Sequence, residues 1–312
     1  MKQFDFMGKR RLASFGSGIL ILVALLSLLF NSLQFGLDFT SGIAVRLSFS
    51  QAVNLEEVSA TLSDNGYDEV QVVTFGSERD IRIVLPLDLL DQANQAAAAV
   101  ETGEEITALL RDTGYGDVIL LGSDFVSAKA GADLAEQSGL GLLVALACIM
   151  LYITVRFQFK FAVGAVAALV HDVIITIGYF SLFRLQVDLS ILAAVLAVIG
   201  YSLNDTIIVA DRIRENFRLV RKGTPEQLIN LSINQTLSRT LVTSGTTLMV
   251  VVTMLLIGGE ALRGFAIALT VGIVAGTYSS IYIAGAAVLA LNVTREDLTP
   301  PVREGINPDT RP

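Results

Sequence analysis

The sequence predicts a polytopic α-helical membrane protein that carries one folded domain outside the lipid, between its first and second spans. The 312 residues are 53% hydrophobic and 17% charged, and the mean hydropathy is +0.63. A soluble domain has about 25% charged residues. Six stretches reach the roughly 20 apolar residues that a helix needs to cross a bilayer. The polar segment after the first stretch changes to short strand and helix periods, which indicates an α+β domain.

The six predicted spans are residues 13–33, 134–155, 161–183, 187–210, 239–257 and 262–291. The last is longer than a bilayer requires, so we expect it to tilt or to extend past the lipid. The first is not expected to be a cleaved signal peptide, because its apolar core is long and no small-x-small site follows it. The only cysteine, Cys148, lies in the second span, so no internal disulfide can form.

Lysine and arginine near the spans predict the orientation. The basic residues cluster in the N-terminal segment 1–12, between spans two and three, and after span four. The opposite loops contain only Arg184 and Arg263. Both termini, including the tail 292–312, are therefore expected in the cytoplasm of a bacterial inner-membrane protein. The segment 211–238 is predicted to be cytoplasmic, amphipathic and basic, and to lie against anionic lipid or a cytoplasmic partner.

The segment 34–133 is predicted to face the periplasm. From residue 34 to residue 137 the chain has 18 acidic and five basic side chains, a net charge of −13, against +5 for the rest. This acidity is typical of a solubilising surface, and a surface for basic partners is the alternative. Strand and helix periods follow in the order β-α-β-β-α-β, with Asn54 as a helix cap and a possible helix interruption at residues 102–103. We predict a ferredoxin-like α+β domain.

Two aspartates lie deep in the predicted spans, although an aspartate at a helix centre costs about 2.5–3.5 kcal/mol. Asp172, beside His171, is in span three, and Asp205 is near the end of span four. Hydroxyl-bearing residues recur at helical spacing on these and the next two spans, which indicates a polar interior. They are Thr176, Tyr179, Ser202, Thr243, Thr246, Thr253, Thr270 and Thr277. Gly272 and Gly276 form a GxxxG pair that predicts a close helix contact.

These acids have two interpretations. They can form a proton or ion relay, in which approach and retreat of Arg239 would load and release a proton on Asp205. They can instead be static hydrogen-bonding links between helices. Arg239 alone is also explained as a snorkelling anchor at the end of its span, and His171 as a packing residue.

The sequence contains no signature of a soluble enzyme. GxxxxGK[ST], HExxH and CxxC motifs are missing, and one histidine cannot form a multi-histidine metal site. We therefore expect no enzymatic activity, no cofactor, no metal and no nucleic-acid partner.

Four motifs carry a family resemblance. They are "FGLDFTSG" (35–42), "GYSLNDTIIVADRIRENFR" (200–218), "NQTLSRT" (234–240) and "GTYSSIYIAG" (276–285). Their order, with one span before a large outer domain and five after it, resembles the SecD/SecF family, and the whole resembles half of an RND-type transporter. The family motif residues are Phe35, Gly36, Leu37, Asp38, Phe39, Thr40 and Gly42.

The resemblance implies a partner, a channel and an energy source. It implies that the chain pairs with SecD in a twelve-span unit, associates with the SecYEG channel, and uses the proton-motive force to promote late translocation of unfolded preproteins. It also implies proton-linked roles for Asp205 and Arg239, and less firmly for Asp172. An RND-type exporter of small molecules or lipids, and a scaffold that only stabilises the channel, are the alternatives.

Overall fold

The computed structural model describes residues 4–36, 39, 42–67, 70–75, 77–86, 95–126, 128–156, 159–220 and 222–294. Six of its helices are long and apolar enough to cross a membrane, so the chain is a multi-pass membrane protein. These helices are α1 (Arg10–Phe30), α4 (Ala128–Arg156), α5 (Phe159–Leu182), α6 (Leu189–Leu219), α7 (Pro225–Ile257) and α8 (Glu260–Ala290). The membrane boundaries within them stay predictions.

Helices α5, α6 and α8 form the centre of the bundle, and α1, α4 and α7 lie at its periphery. The α6–α8 contact depends on the predicted GxxxG pair. A Cβ atom at Gly272 would lie 2.1 Å from Val198 Cγ2, and one at Gly276 would lie 3.1 Å from Ser202 Cβ. The pair therefore lets two helix backbones approach closely, as the sequence predicts.

The region between residues 211 and 238 consists of the ends of two long helices. α6 continues to Leu219, and α7 already begins at Pro225. Thr224 and Gln227 form a capping box, and proline stands at the start of the helix, where its missing N–H costs nothing. The basic segment is thus a rigid extension of α6, with Ile213 and Phe217 buried in the core.

The domain between α1 and α4 is a four-stranded antiparallel sheet with two helices, here called the α/β domain (residues 42–126). Its elements are β2 (Gly42–Phe49), α2 (Leu55–Asp64), β3 (Gln71–Phe75), β4 (Ser77–Pro86), α3 (Gln95–Leu110) and β5 (Val118–Val126), in the sheet order β3-β4-β2-β5. Alternate β2 side chains pack against Val58 and Leu62 of α2 and Ile106 of α3. The ferredoxin-like assignment stays an interpretation of this order.

Local signals of the α/β domain have visible physical reasons. Asn54 caps α2, accepting a hydrogen bond from the Glu56 N–H at 3.0 Å. α3 runs through Thr102 and Gly103 without the interruption considered from the sequence. Gly103 is needed for close packing instead, because its Cβ would lie 3.1 Å from Ser123 Cβ on β5. The sequence pattern predicts that this helix begins at Leu87 and runs to about Arg111, and residues 87–94 of that stretch lie outside the described residues.

A second, two-stranded sheet joins the α/β domain to the bundle. β1 (Gln34–Phe35) follows α1 and pairs in parallel with β6 (Gln186–Val187), which connects α5 to α6. The Gly36 N–H extends the ladder by donating to the Val187 carbonyl at 2.8 Å. The Gln186 amide donates to Gln71 Oε1 on β3 at 2.8 Å. The α5–α6 connection therefore contacts both the exit of α1 and the α/β domain.

The N-terminal segment Phe4–Met7 is bound by two asparagines of α7. Asn234 accepts from the Phe4 N–H at 2.8 Å and donates to the Phe4 carbonyl at 2.8 Å. Asn230 accepts from the Phe6 N–H at 2.8 Å. Met7 is fully buried in the core of the bundle. Asn234 belongs to the "NQTLSRT" motif, so one residue of that motif binds the N-terminal segment.

Candidate functional site

Asp172 is a fully buried carboxylate at which three helices meet. It lies on α5, and its Oδ2 accepts hydrogen bonds from Ser202 Oγ of α6 at 2.5 Å and Ser279 Oγ of α8 at 2.7 Å. Its Oδ1 is 2.8 Å from Nδ1 of His171. Both carboxylate oxygens therefore have partners, which is what a polar group in an apolar interior requires.

His171 extends this network to a fourth helix. Its Nε2 lies 3.1 Å from Ser17 Oγ of α1, and its ring stacks on Tyr278 with the centroids 6.1 Å apart. The Tyr278 hydroxyl donates to the Ala13 carbonyl at 2.7 Å. His171 therefore links α1 to the central helices, the packing role that was one of its two interpretations.

Asp205 lies one helical turn beyond Ser202 but faces α7 instead of α5. It is 1% exposed, and its Oδ2 accepts a hydrogen bond from Ser244 Oγ at 3.3 Å. Ser244 Oγ in turn accepts from Thr277 Oγ1 of α8 at 2.7 Å. A short chain of hydroxyls thus leads from α8 through α7 to the carboxylate.

The second oxygen of Asp205 differs from every oxygen of Asp172. Oδ1 is buried and has no hydrogen-bond partner among the described residues. The same holds for the hydroxyls of Thr206 on α6 and Thr240 on α7. A buried oxygen without a partner is costly and marks either bound water or a place where a proton binds. Three such oxygens therefore lie on the neighbouring helices α6 and α7.

Arg239 lies on α7, about 7.5 Å along the helix from Ser244 at 1.5 Å per residue. α6 and α7 run antiparallel: Asp205 is opposite Ser244, and Arg212 contacts Gln235 at 2.7 Å. Arg239 lies between Gln235 and Ser244 on α7, so it is close to Asp205 along the interface. The Arg239 side chain is exposed and takes no part in the ion pairs found within 4.0 Å among the described residues. The structure thus places Arg239 near Asp205 without a contact between their charges.

Of the predicted polar stripe on α7, Thr246 and Thr253 do not contact the acids, whereas Thr243 also interacts with the Asp205 carboxylate. Thr243, Thr246 and Thr253 donate to carbonyls of their own helix. Ser244, which the sequence analysis missed, donates to Asp205 as well. Ser17 and Ser279 were missed as well, although Ser279 stands in the "GTYSS" motif. Helical spacing alone cannot find them, because serine is common in apolar helices and the rotation of each helix is unknown.

The "FGLDFTSG" motif lies where α1 leaves the bundle. Phe35 and Phe39 contact each other edge to face, with ring centroids 5.9 Å apart, and both line a cavity of about 290 Å³. Gly36 lies against the loop before α6, and a Cβ there would be 3.3 Å from Asp188 Cβ. Gly42 begins β2. Leu37, Asp38 and Thr40 lie outside the described residues.

Within the described ranges no three histidine, cysteine, aspartate or glutamate side chains come together in a group able to hold a metal ion.

Together, six apolar helices, an α/β domain inserted after the first, and buried acids between the central helices define a multi-pass membrane protein with a polar interior. Residues 105–294 match the family model for the C-terminal part of the protein export membrane proteins SecD/SecF. The chain belongs to the SecD/SecF family.

Curated relatives match over nearly their whole length. The protein translocase subunit SecF of Vibrio alginolyticus is 43% identical over 100% of this chain and 98% of its own. That of Pseudomonas aeruginosa is 44% identical over 95% and 94%.

Two solved structures match as well. The crystal structure of the translocon-associated membrane protein SecDF from Thermus thermophilus gives a TM-score of 0.81 at 35% identity, over 93% of this chain. A SecDF structure described as a super-membrane-facing form gives 0.63 at 34% identity, over 94%. The chain spans only 39% of each of these longer chains.

Proposed function

We propose that this chain is a protein-export subunit that works with SecD and uses the proton-motive force to promote late translocation of preproteins through the SecYEG channel. The observation that carries the proposal is the Asp205 carboxylate, buried at 1% exposure with one oxygen unpartnered, in a chain whose relatives are translocase subunits. Asp205 is the proton-binding group, and Arg239 is its charge partner. Both termini are cytoplasmic, and the α/β domain faces the periplasm.

The contrast with Asp172 supports this division of roles. Asp172 has partners for both oxygens from three residues, so a change of its charge would disturb three helices at once. Asp205 accepts from Ser244 at 3.3 Å, and its Oδ1 has no hydrogen-bond partner among the residues that the structure describes, so it gains or loses a proton at less structural cost. We therefore assign proton binding to Asp205, and a positioning role to Asp172.

The proposal requires movement, and the comparisons supply a reason to expect it. The chain matches the two SecDF structures over nearly the same share of its length, yet the TM-scores are 0.81 and 0.63. This difference supports the proposal that parts of SecDF proteins take more than one relative position. One proton crossing 100 mV supplies about 2.3 kcal/mol. That energy is sufficient to shift a balance between two arrangements, in one of which Arg239 approaches Asp205.

The partners follow from lengths and from the relatives' names. The solved SecDF chains are more than twice as long as this chain, which leaves room for a second half of similar size. We propose that SecD supplies that half as a separate chain. The unfolded preprotein is the transported partner, and the bilayer is the solvent of the bundle.

The test is Asp205→Asn. Asparagine keeps the shape and can hydrogen-bond, but it carries no charge at any pH. We expect it to abolish gradient-dependent completion of preprotein transport in membrane vesicles, while insertion and co-purification with SecD remain. Asp211→Asn, the same substitution at an exposed position of α6, is the matched control. Full gradient-dependent stimulation in Asp205→Asn vesicles would show that the carboxylate is only a link between helices and would favour the scaffold hypothesis.

Arg239 tests the other half of the pair. Arg239→Lys keeps the charge but loses the planar fork that matches a carboxylate, so we expect partial loss of transport. Arg239→Met should approach the effect of Asp205→Asn. The double variant should be little worse than either single change, because residues that act as one unit are not additive. Strictly additive losses would contradict a functional pair.

A further inference from the structure

In the chain of hydroxyls next to Asp205, the Thr277 hydroxyl has two possible hydrogen-bond acceptors. Thr277 Oγ1 lies 2.7 Å from Ser244 Oγ and also 2.7 Å from the Ile273 carbonyl of its own helix. A threonine hydroxyl has one proton, so it donates to one of these acceptors at a time. Ser244 has Asp205 Oδ2 as its acceptor. The geometry therefore allows two hydrogen-bond patterns in the same positions of the heavy atoms.

We infer that Ser244 and Thr277 are positioning residues for Asp205, and that Thr277 changes its acceptor as Asp205 gains or loses its proton. The inference rests on the proposed function of Asp205. When Asp205 is charged, Ser244 donates to a carboxylate, and a hydroxyl that donates strongly becomes a better acceptor. Thr277 then donates to Ser244. When Asp205 is protonated, Ser244 is a weaker acceptor, and Thr277 returns to the Ile273 carbonyl.

As a consequence, the hydrogen bond from Thr277 of α8 to Ser244 of α7 depends on whether Asp205 of α6 is charged. The neighbours of Thr277 extend the effect, because Tyr278 stacks on His171 and Ser279 donates to Asp172. Three successive residues of α8 thus contact the surroundings of both buried acids. The "GTYSS" motif gains a physical role that helix packing alone does not give it.

Few other ionisable groups surround Asp205. Arg239 on α7 is the cation, about 7.5 Å along the helix from Ser244. On α8 the nearest is Tyr278, whose hydroxyl is directed to the Ala13 carbonyl of α1. On α5 are Asp172 and His171, which bind each other, and Asp172 also accepts from Ser202 of α6. On α6 itself the Tyr201 hydroxyl is buried without a partner. Ser244 is the group that donates to the carboxylate.

The experiment measures the protonated fraction of Asp205. A hydrophobic carbodiimide reacts with buried carboxyl groups in their protonated form, so the rate at which Asp205 is labelled reports that fraction. Full-length protein co-expressed with SecD is labelled in vesicles at fixed neutral pH, and Asp205→Asn identifies the labelled site. Ser244→Ala should label about three- to tenfold faster, since one hydrogen bond to the charged form is lost. Thr277→Val keeps the shape and should label about twofold faster, through the weakened Ser244.

Two controls separate this role from packing. Thr277→Ser retains the hydroxyl and should label at the wild-type rate. Thr270→Val is the same substitution on the same helix, at a hydroxyl without a hydrogen-bond partner among the described residues, and should also match the wild type. If Thr277→Val does not insert, Ser244→Ala carries the test. The pH of half-maximal gradient-dependent export gives a second readout and should rise in both variants.

Each result leads to a decision. Wild-type labelling and an unchanged export midpoint in both Ser244→Ala and Thr277→Val would overturn the hydroxyl inference, while a loss of export in Asp205→Asn would leave the proposed function standing. Full export in Asp205→Asn would overturn the proposed function instead. Equal acceleration by Thr270→Val would show that loosened packing of α8, and not the hydroxyl, controls Asp205.

Discussion

At the scale of residues, the two buried aspartates differ in their hydrogen bonds. Asp172 accepts from Ser202 and Ser279 and pairs with His171, whereas Asp205 accepts from Ser244 at 3.3 Å and its Oδ1 has no hydrogen-bond partner in the described part of the chain. A saturated carboxylate is a structural element of an apolar interior, since each donor around it would otherwise be buried without an acceptor. A carboxylate with an unpartnered oxygen can gain or lose a proton while fewer hydrogen bonds rearrange.

This difference predicts opposite effects of the same substitution on stability. Asp172→Asn places an amide NH₂ against groups that are themselves donors, so we expect a loss of about 1–3 kcal/mol and a lower melting temperature in detergent. Asp205→Asn should melt close to the wild type. Circular dichroism at increasing temperature on both purified variants makes the comparison, and similar melting temperatures would contradict it.

The sequence is sufficient to find both acids, because an aspartate within twenty apolar residues is conspicuous. It is not sufficient to find Ser244, the donor to Asp205. Thr243 and Thr246 mark a polar stripe on α7, and both donate to carbonyls of their own helix. Which face of α7 meets α6 depends on packing between helices far apart in the chain, and helical spacing carries no information about it.

At the scale of elements, the close contact of α6 with α8 sets the geometry of the site, because Ser202 and Gly276 lie beside Asp172. The GxxxG pattern predicts the contact correctly. Hydrophobic patterning predicts helix ends less well where two helices continue beyond their apolar spans. Extensions of α6 and α7 occupy most of the segment 211–238. Gly103 shows a similar limit, since a glycine inside a helix indicates either a break or a close neighbour.

Gly272→Ala tests the contact. The added Cβ would lie 2.1 Å from Val198 Cγ2 and 2.9 Å from Val198 Cβ, so one helix must shift. We expect a destabilisation of about 1–3 kcal/mol and weaker gradient-dependent export. Gly200→Ala on α6 has nothing within 4 Å and is the matched control. Equal melting temperatures for the two variants would contradict the close approach.

At the scale of the whole molecule, the described residues of the bundle and those of the α/β domain form separate apolar cores. One lies between the helices of the bundle, and the other lies between the sheet and the two helices of the α/β domain. Among the described residues, β3 of the domain contacts the bundle through Gln71, which accepts from Gln186, and through α8. A domain with its own core and few connections is a unit that can move and fold by itself.

We therefore expect residues 42–126 to fold as an isolated domain. Far-ultraviolet circular dichroism should show mixed helix and strand, and urea should unfold it cooperatively. Ile83→Ala, at a fully buried position of β4, should lower its stability by about 2–5 kcal/mol. A coil spectrum, or an Ile83→Ala variant that unfolds like the wild type, would show that the domain depends on the bundle.

The orientation of the chain is tested with introduced cysteines, after replacement of Cys148. Gln51 and Gln95 in the α/β domain should label from outside intact cells. Gly223 is a poor position for the inside probe, because its φ of +125° strains any other residue. Lys222 is exposed and should remain unlabelled. Labelling of the Lys222 position from outside would overturn the predicted topology.

The attachment of the N-terminal segment has a consequence for the order of synthesis. Phe4 is bound by Asn234, 230 residues later in the chain, and Met7 fills a space beside Ile229 and Gly285. These residues thus cannot reach their final position until the fifth and sixth membrane helices have been inserted. Until then Phe4 and Met7 lack these partners on α7 and α8. Docking of this segment is therefore a late event in biogenesis, and it distinguishes a chain that has inserted α7 and α8 from one that ends after α6.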